Sequence, residues 1–300
     1  MKQIDIYEVG PRDGFQNIKE YIPVEKKLSV IDGLVKSGVK HIEVTSFVSP
    51  KAIPQLKDAQ EIVTTCMQQY PEVDFLALIP NLRGAKTAAE LGVHKVAYVV
   101  SLSASHNKAN INRTHEQSFE ALKEIMETYP QLDVIVDVAT TFGCPFEGKF
   151  SASHVVEFLK AYVELGVKQF CLCDTIGIAN PGQVKEILSA VQAAYPQVEL
   201  QVHIHDTRGM GLACTLTAIE MGISKVQSTL GGLGGCPFAP GASGNLATED
   251  MVYMLNEMGY ATGIDFGQIL ALAKKELEAI PDGVYSGHHI HINQTSKCFR

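Results

Sequence analysis

The chain has 300 residues, and its 33 Asp and Glu side chains outnumber its 25 Lys and Arg side chains, which gives a formal net charge of −8. This charge argues against nucleic acid or an anionic membrane as the main partner, and no apolar run approaches the roughly 18 residues that span a bilayer. The seven cysteines are odd in number and include no CxxC pair, so we expect a reducing cytoplasm rather than a disulfide framework.

Short β-branched or apolar runs recur along the chain and predict eight strands. They are residues 4–9, 41–47, 74–79, 95–102, 133–138, 169–173, 199–205 and 225–229. Because the first run begins at Ile4, we expect no signal peptide.

Helix-length patterns separate these strands, the clearest at residues 25–37, 52–70, 117–129, 153–165, 181–195 and 211–221. Strand alternating with helix eight times predicts an α/β fold, a closed parallel (β/α)8 barrel. Four segments also repeat a glycine just before a strand, at Gly38, Gly92, Gly166 and Gly222. Each glycine is expected to end a helix in a left-handed conformation at the bottom of the barrel. We predict one domain over residues 1–300, with the barrel at about 4–262 and a helical and irregular C-terminal extension at about 263–300.

The strand at 199–205 carries a candidate metal clamp. Its alternation places His203 and His205 on one face, where they either bind a divalent cation or hydrogen-bond in a polar barrel interior. Asp13 follows the first strand, at the end of a barrel where catalytic residues gather, although a turn or helix-cap role would fit it alone. With an amide oxygen from Asn245, these side chains would form a mixed nitrogen and oxygen site. Such a site suits Mg²⁺ or Mn²⁺, with Zn²⁺ and Co²⁺ as alternatives.

Two charged residues are expected beside this site. Arg12 could stabilise an enolate, or it could form an ion pair with Glu43 or Asp13. Glu43 lies in an otherwise apolar strand and would be costly to bury unpaired, so it should hold Arg12 or a ligand. Asp174 and Asp206 are predicted to hydrogen-bond the ligating imidazoles.

Cys236 lies in a long glycine-rich loop after the eighth strand, over the predicted site. A thiol there is placed to give or take a proton, whereas we expect Cys66, Cys171, Cys173 and Cys214 to be inert. The loop matches neither nucleotide-binding fingerprint, because Gly231, Gly232, Gly234 and Gly235 lead into Cys-Pro. The tail at 287–293 repeats the His-x-His spacing at His289 and His291, and we interpret it as a surface or interface strand without a second metal.

Six stretches of the sequence resemble the 3-hydroxy-3-methylglutaryl-CoA (HMG-CoA) lyase family, and the resemblance runs from about Tyr7 to Leu255. They are Val9-Gly-Pro-Arg-Asp-Gly-Phe-Gln-Asn17, Glu43-Val-Thr-Ser-Phe-Val-Ser-Pro-Lys51, Gly143-Cys-Pro-Phe-Glu-Gly148, Asp174-Thr-Ile-Gly177, His203-Ile-His-Asp206 and the segment from Gly231 to Asp250. The resemblance implies a metal-dependent TIM-barrel lyase that cleaves HMG-CoA to acetyl-CoA and acetoacetate, as in leucine catabolism. It implies an acyl-CoA thioester as substrate, and a homodimer is the family expectation.

The same resemblance implies roles for individual residues. Asp13, His203, His205 and Asn245 would bind the metal, and His203 could act as a base as well as a ligand. Arg12 would stabilise the enolate of acetyl-CoA, Glu43 would support the site and Cys236 would transfer a proton.

Some positions depart from the family pattern, namely Ala104, His106, Gln227 and the segment from Asp137 to Thr141. None is a proposed ligand, but they leave open a related 3-hydroxy-3-alkylacyl-CoA or citramalyl-type thioester as substrate. A Claisen-type acyl synthase is a less favoured alternative, because only a short C-terminal extension follows the barrel and the Cys loop is present. The intact ligand set argues against a barrel that binds metal without turnover.

Overall fold

A computed structural model describes residues 2–235 and 244–292. Eight parallel strands close into a barrel in chain order, as predicted. They are β1 (Asp5–Glu8), β2 (His41–Ser46), β3 (Asp74–Leu78), β4 (Lys95–Ser101), β5 (Asp133–Ala139), β6 (Gln169–Asp174), β7 (Glu199–Ile204) and β8 (Lys225–Ser228). No strand extends more than one residue beyond its predicted range, because the apolar runs that define them are short and well separated.

The helices alternate with the strands around the barrel. They are α1 (Val24–Lys36), α2 (Ala59–Gln69), α3 (Leu82–Glu90), α4 (Ala104–Ile111), α5 (His115–Thr128), α6 (Ala152–Leu165), α7 (Pro181–Ala194), α8 (Gly211–Glu220), α9 (Thr248–Glu257) and α10 (Phe266–Ala279). Of the described helices, none is long and apolar enough to cross a membrane. The helix predicted over 52–70 was wrong in its first part, where Pro54–Leu56 form a 3-10 turn. Proline lacks an N–H and restricts the residue before it, so the α-helix begins only at Ala59.

The predicted helix-ending glycines all adopt the left-handed conformation. Their φ angles are 97° at Gly38, 79° at Gly92, 101° at Gly166 and 102° at Gly222. Each therefore turns a helix back into the next strand at the bottom of the barrel, as the repeated segments predicted.

The C-terminal segment begins with the predicted helix, α10, but the strand predicted at 287–293 was wrong. His289–His291 form a 3-10 turn. The Asp250 carboxylate accepts hydrogen bonds from the backbone N–H groups of His288 and His289, at 2.7 and 2.9 Å, and contacts both imidazoles. These contacts hold the segment on α9 as a turn, so its backbone is not available to a strand partner.

Candidate metal centre

The chain turns sharply after β1 and presents Asp13 to the barrel mouth. Residues Gly10–Gly14 form a single π-helical turn, a rare geometry that is frequent at functional sites. Asp13 Oδ1 accepts hydrogen bonds from Arg12 Nη1 at 2.7 Å and Gln16 Nε2 at 2.8 Å. Burial opposes ionisation of Asp13, but Arg12 and His203 lower the pKa of its carboxyl below the ordinary value. The carboxylate is therefore charged and fixed in orientation.

Arg12 and Glu43 form the buried ion pair that the sequence predicted. Arg12 Nε donates to Glu43 Oε1 and Nη2 to Oε2, both at 2.9 Å, in a forked arrangement. The two residues are only 7% and 2% exposed. Burial opposes the charge of Arg12, but Glu43 and Asp13 raise the pKa of the guanidinium. Arg12 stays cationic, and a guanidinium has more N–H donors than the three used here, so donors remain for a substrate.

The two imidazoles of β7 converge. His203 Nε2 lies 3.1 Å from His205 Nε2, and His203 Nδ1 lies 2.9 Å from Gln227 Oε1. Because the amide oxygen can only accept, His203 carries its proton on Nδ1 and directs the lone pair of Nε2 towards His205. Burial lowers the pKa of His205 to about 3, so this imidazole is neutral near pH 7, the form that binds metals.

Asn245 joins this group through its backbone and its side chain. Its backbone forms an antiparallel bridge with His205, and its Nδ2 donates to Asp13 Oδ2 at 2.7 Å. Its buried Oδ1 has no hydrogen-bond partner among the described residues. Leaving a buried acceptor unsatisfied is costly, so this oxygen suits a cation that it would coordinate.

These residues fit a divalent cation. The ligand atoms of Asp13, His203 and His205 lie within 4.8 Å of one another, and the unsatisfied oxygen of Asn245 comes from the residue bridged to His205. Two imidazoles with a carboxylate and an amide oxygen provide a mixed donor set without thiolate. The structure thus brings together the four residues that sequence reasoning selected.

A cavity of about 650 Å³ opens over this group. Arg12, Asp13, His203 and His205 line it, together with polar side chains that include Asn110 and Arg113. Cavities of this size accommodate small-molecule ligands with a few polar anchoring groups. The arrangement therefore combines a cation site, a fixed guanidinium and room for an organic substrate.

The prediction that Asp174 and Asp206 hydrogen-bond the ligating imidazoles was wrong. The Asp174 carboxylate accepts the backbone N–H groups of Ile178 and Ala179, and Asp206 accepts the N–H of Gly211. Both carboxylates are used by the loops that follow their own strands. Gln227 takes the role instead, and the signal for it was register, since Gln227 pairs with His203 in the barrel.

Asp137 also belongs to the cavity and was not predicted from the sequence. Asp137 is 4% exposed, lines the cavity and has one carboxylate oxygen without a hydrogen-bond partner among the described residues. Burial and the nearby Glu43 raise the pKa of its carboxyl to about 8. Its position inside a predicted strand among apolar residues was the available signal. Cys236, by contrast, lies outside the described residues.

Comparison with known proteins places these features in one family. The HMGL-like family model matches residues 3–275. The mitochondrial hydroxymethylglutaryl-CoA lyase of Macaca fascicularis is 44% identical over 90% of this chain and 83% of its own. The hydroxymethylglutaryl-CoA lyase of Bacillus subtilis is 41% identical over 91% of this chain and 92% of its own.

Solved structures agree with the sequence matches. The crystal structure of Bacillus subtilis HMG-CoA lyase superposes with a TM-score of 0.89 at 39% identity, covering 100% of this chain and 97% of that chain. An HMG-CoA lyase from Acinetobacter baumannii, in complex with coenzyme A and 3-methylmalate, gives a TM-score of 0.90 at 41% identity. That match covers 98% of this chain and 96% of the other.

Proposed function

This chain belongs to the HMGL-like family, and from that premise we propose that it cleaves HMG-CoA to acetyl-CoA and acetoacetate with the help of a divalent cation. It is a carbon–carbon lyase with a TIM-barrel fold. The observation that carries the proposal is the convergence of Asp13, His203 and His205 beside Arg12 in one cavity. The reaction is inferred from the relatives named above, and the converging side chains are the groups that this reaction requires.

We assign the cation to Asp13, His203, His205 and Asn245, and we favour Mg²⁺ or Mn²⁺ because the donors are nitrogen and oxygen. A bound cation would polarise substrate oxygens and make the tertiary hydroxyl easier to deprotonate. His203 has only Nε2 available, because Nδ1 is engaged by Gln227. It therefore acts as either ligand or base, and the convergence of its Nε2 with that of His205 favours the ligand role.

We assign to Arg12 the role of stabilising the negative charge that develops on the substrate during cleavage. As the tertiary hydroxyl loses its proton, its carbon becomes the ketone of acetoacetate and the electron pair of the breaking bond moves to the acetyl thioester. The negative charge then rests on the thioester oxygen of the enolate. Arg12 lines the cavity, and Glu43 holds its guanidinium in place, so we assign its unused N–H donors to this oxygen. Preorganised donors of this kind stabilise an oxyanion most effectively.

Cys236 is assigned to the final protonation of the enolate carbon. Gly235 is the last described residue before it and lines the cavity, which supports this role. A proton from the thiol completes acetyl-CoA, and the proton that the hydroxyl releases to solvent balances the proton that the thiolate takes back.

The acyl group of the substrate is a separate question from the type of reaction. Asp137 lines the cavity with one carboxylate oxygen that lacks a partner among the described residues. Two of the positions that depart from the family pattern, His106 and Gln227, line the cavity and favour, as a second candidate, a related 3-hydroxy-3-alkylacyl-CoA or citramalyl-type thioester. The complex of a relative with coenzyme A and 3-methylmalate supports a small hydroxy diacid in this cavity.

We also propose a pathway, a cellular compartment and an oligomeric state for the protein. We place it in leucine breakdown in the cytoplasm, supported by a bacterial relative, although other relatives are mitochondrial. We keep a homodimer as the family expectation, with a CoA thioester rather than nucleic acid or a membrane as the partner.

A thioester cleavage panel tests this function. The purified protein, with Mg²⁺ or Mn²⁺, should release acetyl-CoA from HMG-CoA. The cleavage rates of longer-branched and citramalyl thioesters, compared with that of HMG-CoA, would then rank its preference among acyl groups. Asp13→Asn should lower kcat/KM by about 100-fold or more, because it removes a charged metal ligand. The control Asp282→Asn lies on an exposed residue and should leave activity unchanged. Full activity of Asp13→Asn under metal chelation would contradict the proposed mechanism.

A further inference from the structure

Two buried thiols and a carboxylate meet on the inner wall of the barrel, next to the cavity. Strand register pairs Asp137 of β5 with Cys171 of β6, and Cys173 follows on the same face of β6. One oxygen of Asp137 and the sulfur atoms of Cys171 and Cys173 lie within 4.8 Å of one another. The fold therefore places two soft sulfur ligands and one hard oxygen ligand close enough together to bind one cation.

The two sulfur atoms already have the separation of metal ligands. Residues two apart on a strand are spaced by about 6.6 Å along the backbone, yet the sulfur atoms of Cys171 and Cys173 approach to 3.9 Å. In a tetrahedral site with metal–sulfur bonds of about 2.3 Å, two sulfur atoms lie about 3.8 Å apart. Little movement of these thiols would be needed to bind a cation.

Asp137 provides an independent sign that a ligand is missing. Its side chain is buried, and its Oδ1 has no hydrogen-bond partner among the described residues. Buried carboxylate oxygens are nearly always paired or bound to a metal. Asp137 and Cys173 both line the cavity, so a cation bound here could take a solvent ligand from that side.

We propose that Asp137, Cys171 and Cys173 form a second metal site, specific for a thiophilic divalent cation such as Zn²⁺ or Cd²⁺. Thiolate donors select such cations, whereas the nitrogen and oxygen donors of the first site suit Mg²⁺ or Mn²⁺. On binding, both thiols and the Asp137 carboxyl release their protons to solvent, and the two thiolates and the carboxylate donate electron pairs to the cation. Nothing is oxidised or reduced.

The two sites are neighbours but chemically separate. Cys173 pairs with His203 across strands β6 and β7, so the proposed site lies beside the first. Thiols bind a cation only after they lose their protons. Metal affinity should therefore rise with pH.

Cd²⁺ titration tests the proposal without relying on activity. The full chain, carrying Cys236→Ala and Cys298→Ala so that only the described thiols remain, is first saturated with Mg²⁺. Two equivalents of Cd²⁺, enough to fill both sites if Cd²⁺ displaces Mg²⁺ from the first, should then produce the ultraviolet charge-transfer absorption of Cd–thiolate bonds. Absence of this absorption would overturn the proposal.

Single substitutions assign the ligands. Cys171→Ala and Cys173→Ala should each remove about half of the absorption and weaken Cd²⁺ binding by about 100-fold, whereas Cys214→Ala, another buried thiol, should change neither. Asp137→Asn should weaken binding by about 10-fold and leave the absorption at saturation unchanged. Thermal unfolding of each variant checks that it is folded, and Cys171→Ser provides a second test if the alanine is not. Equal absorption in the Cys171 and Cys173 variants and their parent would overturn the site.

Discussion

Gln227 decides which nitrogen of His203 is free to bind a cation. Its amide oxygen accepts the Nδ1 proton at 2.9 Å, which leaves the lone pair on Nε2 directed at the candidate centre. The contact is neutral, so it orients the ring without adding negative charge to it. Partners of this kind fix the tautomer and orientation of a ligating histidine.

Gln227→Leu removes this contact and should weaken Mn²⁺ binding by about 10- to 100-fold, because the imidazole loses its fixed tautomer. Gln227→Glu retains an acceptor and should keep most of the affinity. Isothermal titration of the metal-stripped protein measures both. Gln192→Leu, which removes a hydrogen bond to the Met221 carbonyl at the bottom of the barrel, is the matched control. Affinity in Gln227→Leu equal to that of the control would show that the contact does not orient the ligand.

At this scale the sequence predicted the residues that converge but not all of their contacts. His203, His205 and Asp13 were predictable because strand alternation and strand ends place side chains reliably. Asp174 was assigned wrongly because the N–H groups of the loop after its own strand use its carboxylate. Hydrogen bonds between a carboxylate and the loop that follows it depend on the loop's conformation, which the periodicity of the sequence does not predict.

Among the elements, the turn after β1, the segment after β8 and helix α9 are held together by one buried carboxylate. Glu8 Oε1 accepts the backbone N–H groups of Gly10 and Leu230, at 2.8 and 2.9 Å. Glu8 Oε2 accepts the hydroxyl of Thr248. The turn that carries Asp13 is therefore fixed against the segment that leads to Asn245.

Glu8→Ala should destabilise the fold by about 3 kcal/mol, because it leaves two buried N–H groups without an acceptor. Glu8→Gln keeps one acceptor oxygen and should cost less. Chemical denaturation followed by circular dichroism measures the loss, and Glu127→Ala, at an exposed position, is the control. A loss in Glu8→Ala no larger than in that control would contradict this role.

The elements themselves were largely predictable. Eight strands and six helices were found from apolar periodicity, and the four glycines located the turns at the bottom of the barrel. Helices α3, α4 and α9 were not singled out, and α4 buries only His106 and Asn107, so it lacks the apolar stripe that periodicity detects. The long-range contacts of Glu8 were beyond prediction, because they join residues 222 and 240 positions apart.

On the scale of the whole molecule, burial of acidic groups makes stability depend on pH. Burial raises the pKa of Glu8 to about 7 and of Glu249 to about 8, and it raises that of Glu276 well above its ordinary value. These carboxyls hold protons in the folded state that they lose, near pH 4.5, once unfolded. Their contribution to stability is complete below that pH and is lost as the pH rises through the folded values.

We expect the free energy of unfolding to fall by on the order of 2 kcal/mol between pH 7 and pH 8.5, a window above the ordinary pKa of histidine, where the buried neutral His205 does not offset the fall. Glu249→Gln cannot ionise and should show a shallower decline than the wild type. Urea denaturation at a series of pH values measures both slopes. Parallel slopes in the two proteins would mean that Glu249 does not titrate as described.

The closed barrel was predictable because one pattern repeats along the chain. Its assignment to a single domain over residues 1–300 stays a prediction, as does the homodimer. The cation centre itself depends on contacts between β1, β7 and the segment after β8, which the barrel closes into one rim.

The most direct test of the account is an anomalous diffraction measurement on crystals of the protein grown with Mn²⁺. The account predicts one strong anomalous peak about 2.0–2.4 Å from a carboxylate oxygen of Asp13, Nε2 of His203 and His205, and Oδ1 of Asn245. A map without a peak among these four side chains, or with the Mn²⁺ bound elsewhere, would contradict it.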